Sequence, residues 1–478
     1  MKHDNTSNPL TERYASREMS YLFSPNSKFR TWRRLWIALA EAEKELGLPI
    51  TDAQIAELRA HAEDINYEDA NRREREVRHD VMAHVYAYGL QATSAKGIIH
   101  LGATSAYVTD NTDILQMHEG LRIMRRRIVN LMAKLREFAW QWRSTPALAF
   151  THFQPAQLTT VGKRATLWLH DLLLDYREIE FRESQLALLG VKGATGTQAS
   201  FLSLFDGDES KVNRLEQLVA EKMGLRRSYP VSGQTYSRKV DSQVVNSLSS
   251  FAQSASKFAY DMRLLQHLRE VEEPFEEEQI GSSAMPYKRN PMRAERIDAL
   301  TRHLIVNSLN PAFTAATQWF ERTLDDSANR RIAIPEAFLA ADAVALIYDN
   351  IAAGFVVHED VIATNVRREL PFMMTENLMM EATSRGGDRQ ELHEAIRVHA
   401  KAAADRLKGG AADNDLFDRI AADTLFGIDR AAIEKLATPE NYTGLSSQQT
   451  ERFLIEDVDP ILAAERESIR DEVGEVRV

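Results

Sequence analysis

Leu121-Arg122-Ile123-Met124-Arg125-Arg126-Arg127-Ile128-Val129-Asn130-Leu131-Met132-Ala133-Lys134-Leu135-Arg136-Glu137-Phe138 reads as one long helix and decides the fold class. Leu121, Met124, Ile128, Leu131, Leu135 and Phe138 recur at steps of three and four, which places them on one side of a 3.6-residue turn. The spacing returns in Trp32, Leu35, Leu39 and Leu46, and in Leu248, Phe251, Ala255, Phe258, Met262 and Leu265. Proline is absent between Pro49 and Pro146 and between Pro155 and Pro230, so long stretches carry no helix breaker. Thr51-Asp52-Ala53-Gln54 has the form of a capping box. Alternating patterns are scarce, and an all-α chain is expected.

From Ala156 to Leu189 the spacing predicts one helix of about 34 residues, about 50 Å long, and helices of that length build bundles. Leu158, Val161, Ala165, Trp168 and Leu172 would face neighbouring helices, within the subunit or across an oligomer interface. Three zones are expected. Residues 1–104 form an N-terminal helical domain, 105–357 a central long-helix bundle and 358–478 a C-terminal helical domain.

Composition narrows the function. The 478 residues exceed one simple core, and 44% hydrophobic content supplies a large interior. No segment approaches the ~20 apolar residues of a membrane span. The polar stretch from Met1 to Pro9 lacks the apolar core of a signal peptide. The chain has no cysteine, which excludes disulfides and thiolate chemistry and is compatible with the cytoplasm. A net charge of −11 argues against a nucleic-acid binder, although a local arginine cluster can still hold a small anion.

Five segments could carry chemistry. Gly281-Ser282-Ser283-Ala284-Met285-Pro286-Tyr287-Lys288-Arg289-Asn290-Pro291 cannot sit inside a helix with two prolines. As a loop it offers a flexible glycine, two hydroxyls, and Lys288 and Asn290 for a carboxylate. Arg78-His79-Asp80-Val81-Met82-Ala83-His84 invites a metal reading, but a spacing of five puts the histidines about 140° apart, so no metal site is expected. A solvated helix end and an anion site are equally good readings there. His100-Leu101-Gly102-Ala103-Thr104-Ser105, followed by Asp110-Asn111-Thr112-Asp113, reads most simply as a helix-capping turn. In Thr151-His152-Phe153-Gln154-Pro155-Ala156-Gln157, His152 stands ahead of a helix start marked by Pro155 and has the right chemistry for a proton donor. Arg322-Thr323-Leu324-Asp325-Asp326-Ser327-Ala328-Asn329-Arg330-Arg331, with Arg293 and Arg296, is either an anion site or surface salt bridging.

Taken together, these segments resemble the fumarase/aspartase superfamily, whose members eliminate fumarate from succinyl-bearing substrates. The Ser-Ser-Ala-Met-Pro-Tyr-Lys-Arg-Asn-Pro form, with Phe150-Thr151-His152-Phe153-Gln154-Pro155-Ala156-Gln157, Gly233-Gln234-Thr235-Tyr236 and Arg322-Thr323-Leu324-Asp325-Asp326-Ser327, is similar to the branch that acts on adenylosuccinate. The likeness runs from about Arg13-Tyr14 to Gln448. It implies a three-domain helical subunit in a homotetramer, with each active site drawn from three subunits and with no metal or cofactor. It also implies cleavage of adenylosuccinate to AMP and fumarate, and of the succinylated ribotide SAICAR to AICAR and fumarate.

By the same resemblance Ser282 is the base, although spacing alone leaves open whether Ser282 or Ser283 has that role. His152 is the general acid with Glu295 as its carboxylate partner, and Lys288 and His79 complete the catalytic set. Lys288 and Asn290 hold the fumarate portion. Arg13, Tyr14, Ser327 and Arg331 take the phosphate, and Arg78, His79, Asp80, Thr104, Ser105, Gln234, Ser283, Arg296 and Arg322 fill out the substrate-binding set. The rivals are argininosuccinate lyase, fumarase and aspartase chemistry, a non-catalytic protein on the same scaffold, and an RNA binder. Intact His152, Ser282, Lys288 and Glu295 argue against the second, and the acidic balance against the third.

Overall fold

Every residue of the opening stripe is buried, and the computed structural model, which describes residues 6–470, carries it on a helix of 37 residues. Residues 1–5, where the polar start of the chain was read, lie outside the described residues. The elements that position the site are α1 (Pro25–Glu45), α2 (Tyr67–Val77), α3 (Asp80–Gln91), α4 (Ser105–Gln141), β1 (Pro146–Thr151), β2 (Gln154–Thr160), α5 (Val161–Gln185), α6 (Lys239–His267), β3 (Val271–Glu272), α7 (Met292–Asn307), α8 (Asp325–Ala353), β4 (Val356–Val357) and α9 (Glu359–Met373). Helices dominate, as the spacing required. The Thr51 capping box is present with both of its hydrogen bonds.

The long helices α4, α5, α6, α7 and α8 pack on one another as a bundle. Two features bring them close. A Cβ at Gly120 of α4 would lie 2.6 Å from the Phe338 ring of α8, so only glycine permits that approach. Phe258 of α6 stacks on Tyr348 of α8 at 3.8 Å and meets Trp168 of α5 edge-on at 5.2 Å, joining three helices in one aromatic cluster. On α5, Val161, Ala165, Trp168 and Leu172 are buried as expected. The opposite side of α5 carries Leu167, Leu174 and Phe181 at seven-residue steps, each about half exposed.

The predicted helix from Ala156 to Leu189 is shorter than expected. Residues 146–160 form an antiparallel hairpin of β1 and β2, with Pro146 opposite Thr160 and Thr151 opposite Gln154. The helix begins only at Val161, capped by the Thr160 hydroxyl accepting from Lys163 N, and ends at Gln185. Pro155 therefore lies in a strand, opposite Phe150 beside an irregularity in the register, where a missing N–H is tolerated. No described helix is long and apolar enough to cross a membrane.

Candidate active site

One cavity of about 700 Å³ collects much of the expected set. Arg78, His79, Asp80, Ser105, Gln234, Arg322, Ser327 and Arg331 all line it. They arrive from four directions: the break between α2 and α3, the start of α4, the 231–238 segment, and the start of α8. Arg78 adopts a left-handed conformation that ends α2, which frees His79 to cap α3. His79 Nδ1 accepts from Met82 N at 3.3 Å, which leaves the ring proton of the neutral form on Nε2, 3.3 Å from Ser105 Oγ. Asp80 accepts from Val81 N at 2.8 Å through one oxygen and from Arg331 at 3.2 Å through the other. The structure thus shows the helix end, with Arg78, His79 and Asp80 all facing the cavity.

His84 has no part in this site. It is buried, stacked on Phe29 at 3.8 Å, and burial lowers its pKa to about 4. Thr104 precedes α4 as expected of a cap, but its hydroxyl makes no capping bond, and it does not line the cavity. Gln234 is fixed by its own backbone, whose N–H donates to Glu321 O at 3.0 Å, and its side chain donates to Ala194 O at 3.1 Å.

Beneath these groups lies a buried ionic network that the sequence reading missed. Arg238 donates to Asp326 at 2.6 Å and to both oxygens of Asp110 at 2.9 and 3.1 Å. Arg322 donates to the other oxygen of Asp326 at 2.8 Å. Arg330 donates to Asp241 at 2.6 Å and pairs with Asp113 at 2.8 Å, while the Tyr236 hydroxyl donates to Asp241 at 2.6 Å. Burial alone would raise Asp326, but the Arg238, Arg322 and Arg330 guanidinium groups outweigh it and hold the carboxyl below its usual range. The surface salt bridging weighed for this cluster is therefore half right. Asp326 is paired but buried, and exposed Asp325 accepts from Thr317 instead. Helical spacing was the available signal: Asp110 and Asp113 are three apart, Asp326 and Arg330 four apart, and each pair faces one way.

The remaining expected residues lie elsewhere on the subunit. His152 sits at the exposed tip of the β1–β2 hairpin, where His152 and Phe153 both have positive φ, 55° and 58°. The expectation that it precedes a helix is corrected. It stands in the two-residue turn between β1 and β2, with its side chain exposed. Non-glycine residues hold such angles at a cost of order 1–3 kcal/mol each, a strain typical of functional turns.

Ser282, Ser283, Lys288 and Asn290 lie in the loop before α7, and Glu295 is exposed on its first turn. The loop closes on itself. Asn290 Nδ2 donates to Gly281 O at 2.7 Å, Lys288 N donates to Met285 O at 3.0 Å, and Met285 N donates to Ser282 Oγ at 3.2 Å. A side chain at Gly281 would strike the Lys288 carbonyl and the Phe275 ring, so this glycine serves the loop's own closure. Ser283 and Lys288 are exposed. Arg296, one position beyond Glu295, lies 5.9 Å over the Tyr14 ring, and Arg13 lies against the same ring at 5.9 Å. Arg296 Nη1 is buried without a hydrogen-bond partner among the described residues. Apart from Thr104, the expected residues thus form three groups: the cavity, the hairpin tip, and the loop with the Tyr14 patch.

Comparison with known proteins places these groups in context. Residues 16–305 match a family described as "Lyase", and residues 371–453 match one described as "Adenylosuccinate lyase C-terminus". The chain is 49% identical over 479 residues to adenylosuccinate lyase of Saccharomyces cerevisiae, covering 100% of this chain and 99% of that protein. It is 49% identical to the enzyme of that name from Schizosaccharomyces pombe, covering 99% and 98%, and 31% identical to that of Pyrococcus abyssi, covering 93% and 97%. Among solved structures it superposes on a 3-carboxy-cis,cis-muconate lactonizing enzyme from Pseudomonas putida with a TM-score of 0.82 at 21% identity, covering 95% and 99% of the two chains. A fumarate lyase from Mesorhizobium sp. BNC1 superposes with a TM-score of 0.79 at 23% identity, covering 93% and 99%. At those identities the likeness speaks for the mostly helical fold alone.

Proposed function

The chain belongs to the adenylosuccinate lyase family, carbon–nitrogen lyases of purine biosynthesis, and from that membership we infer that its three groups of residues assemble into one site that eliminates fumarate from adenylosuccinate and from SAICAR. The observation that carries this reading is the 49% identity along the full chain. Purified protein given adenylosuccinate should release fumarate with the accompanying ultraviolet change. Silence there, with turnover of argininosuccinate or malate, would overturn the substrate.

In the reaction a base removes a proton from the succinyl carbon beside a carboxylate, and the electron pair spreads into that carboxylate. The pair then forms the new C=C bond as the C–N bond breaks, and an acid protonates the departing nitrogen. Ser282 is the proposed base, with Ser283 contacting a carboxylate. Its hydroxyl accepts a backbone N–H in the closed loop, a bond that favours the alkoxide over the alcohol. His152 is the proposed acid, and positioned general acids contribute about 10²–10⁴ in rate. Glu295 is its proposed carboxylate partner. Lys288 and Asn290 would hold the fumarate half, Lys288 by charge and Asn290 through the second Nδ2 N–H, which its bond to Gly281 O leaves free to donate.

The cavity would take the nucleotide half. His79, with its ring proton aimed at Ser105, completes the catalytic set, and Arg78, Asp80, Gln234 and Arg322 bind substrate around it, with Thr104, outside the lining at the start of α4, kept in the proposed set. Arg13, Tyr14, Ser327 and Arg331 are the proposed phosphate contacts, and Arg296 brings its unpaired buried nitrogen to the same ligand. Arg331→Ala is expected to weaken AMP binding about tenfold or more, as loss of a hydrogen bond to a charged group does. Unchanged affinity in a calorimetric titration would remove Arg331 from the phosphate.

We also read the subunit as part of a homotetramer with sites shared by three chains. Two observations support this. The three groups of site residues lie apart on one subunit, and α5 leaves Leu167, Leu174 and Phe181 in the open on its outer side. In the same reading the subunit divides near residues 104 and 357, and the compartment is the cytoplasm, where a cysteine-free chain is at home.

A further inference from the structure

Six lysine and arginine side chains line the cavity: Lys28, Arg78, Arg238, Arg322, Arg330 and Arg331. Arg238 and Arg330 are locked between carboxylates, Arg322 is held by Asp326, and Arg331 reaches Asp80. These groups are largely neutralised before any ligand arrives. Arg78 is exposed at the end of α2.

Lys28, on the first turn of α1, differs from all of them. Its ammonium lies 5.4 Å from the Phe29 ring centroid and 5.0 Å from that of Trp32. Aromatic faces fix a cation in place without giving it a hydrogen-bond acceptor. Among the described residues Lys28 stands in no ion pair. Burial lowers its pKa, Asp113 and Asp80 support its charge only from a distance, and Arg331 opposes it.

We propose that Lys28 is the cation this site keeps for the phosphate of its substrate, an inference that rests on reading the cavity as the nucleotide half of the active site. A lysine that is partly buried, oriented by two aromatic rings and unpaired is set right by an anion in the cavity. A phosphate monoester carries about −1.5 to −2 charges at pH 7, more than a carboxylate can offer. Lysine meets it as a compact charge with three rotatable donors, without the planar match that arginine requires. The Ser327 hydroxyl and Arg331, two of the four proposed phosphate contacts, line the same cavity.

The test is calorimetric binding of AMP, adenosine and fumarate to the full-length protein and to Lys28→Met and Lys28→Arg. Methionine keeps an unbranched apolar stem against the two rings and removes the charge. AMP should bind Lys28→Met at least about tenfold more weakly while adenosine binds unchanged, and Lys28→Arg should recover most of the loss. Equal AMP affinity in parent and Lys28→Met overturns the proposal. So does a parallel loss for AMP and adenosine, which marks a structural role, and so does a loss confined to fumarate, which assigns Lys28 to a carboxylate. If the parent binds no AMP, the nucleotide reading itself fails. Should circular dichroism show Lys28→Met unfolded, Lys28→Gln is measured against the same outcomes.

Discussion

Subunits carrying His152→Ala and subunits carrying Ser282→Ala, each nearly inactive alone, should regain activity when they are dissociated, mixed and reassembled. Each variant on its own is expected to lose on the order of 10²–10⁴ in turnover while still binding substrate, the usual loss for a positioned acid or base. The structure makes mixing informative because the hairpin tip that carries His152 and the loop that carries Ser282 are separate groups on one subunit. If a site takes its acid from one chain and its base from another, half the chains in an equal mixture offer an intact histidine and half an intact serine. Random assembly then restores roughly a quarter of the parent activity. If both residues of a site came from one chain, every site would lack one of them and mixing would restore nothing. The recovered rate, read as fumarate release against the mixing ratio, therefore tests both the roles of the two residues and the sharing of sites.

The bundle was legible because a 3.6-residue period survives in any sequence whose helices bury one side. The stripe from Leu121 to Phe138 is wholly buried, and so are Leu248, Phe251, Ala255, Phe258, Met262 and Leu265. The hairpin was not legible. Its turn residues, His152 and Phe153, are not the glycine or asparagine that positive φ favours, and Pro155 imitates the first residue of a helix. Strand chemistry there depends on a turn held by the surrounding structure, which local propensity cannot register. The site divides in the same way. Residues that stand together in a motif, such as Arg78 to Asp80 or Arg322 to Arg331, could be picked out in the chain. Lys28, Arg238 and Asp241 could not, because their meeting with the rest depends on how α1, α6 and α8 cross, and each alone looks like an ordinary surface charge.

Glu43 is the sharpest case of that limit, and replacing it by glutamine should stabilise the protein increasingly as pH rises. The stripe of Trp32, Leu35 and Leu39 on α1 continues at the same spacing through Glu43, a position where a charged residue is normally read as solvent-facing. In the fold Glu43 is fully buried, and neither carboxyl oxygen has a hydrogen-bond partner among the described residues. Burial in an apolar setting disfavours the charged form and pushes its pKa up to about 9, so the folded protein holds it neutral at pH 7. The unfolded chain ionises it near its ordinary 4.5, so folding at neutral pH must take up a proton. Because the folded pKa is the raised one, the stability linked to this group is complete below about pH 4.5. It is lost progressively as pH climbs towards 9, at about 1.4 kcal/mol per pH unit. By pH 7 the loss is about 3 kcal/mol. Glutamine keeps the shape of the side chain and a neutral polar group in place of the acid, but it has no proton to take up. Urea unfolding of the parent and Glu43→Gln should therefore coincide near pH 4.5, differ by about 3 kcal/mol at pH 7, and diverge further at pH 8. A constant difference across that range would show that Glu43 is ionised in the folded chain, with a cation or water brought in to meet it. The apolar stripe would then not be the surroundings that govern its charge.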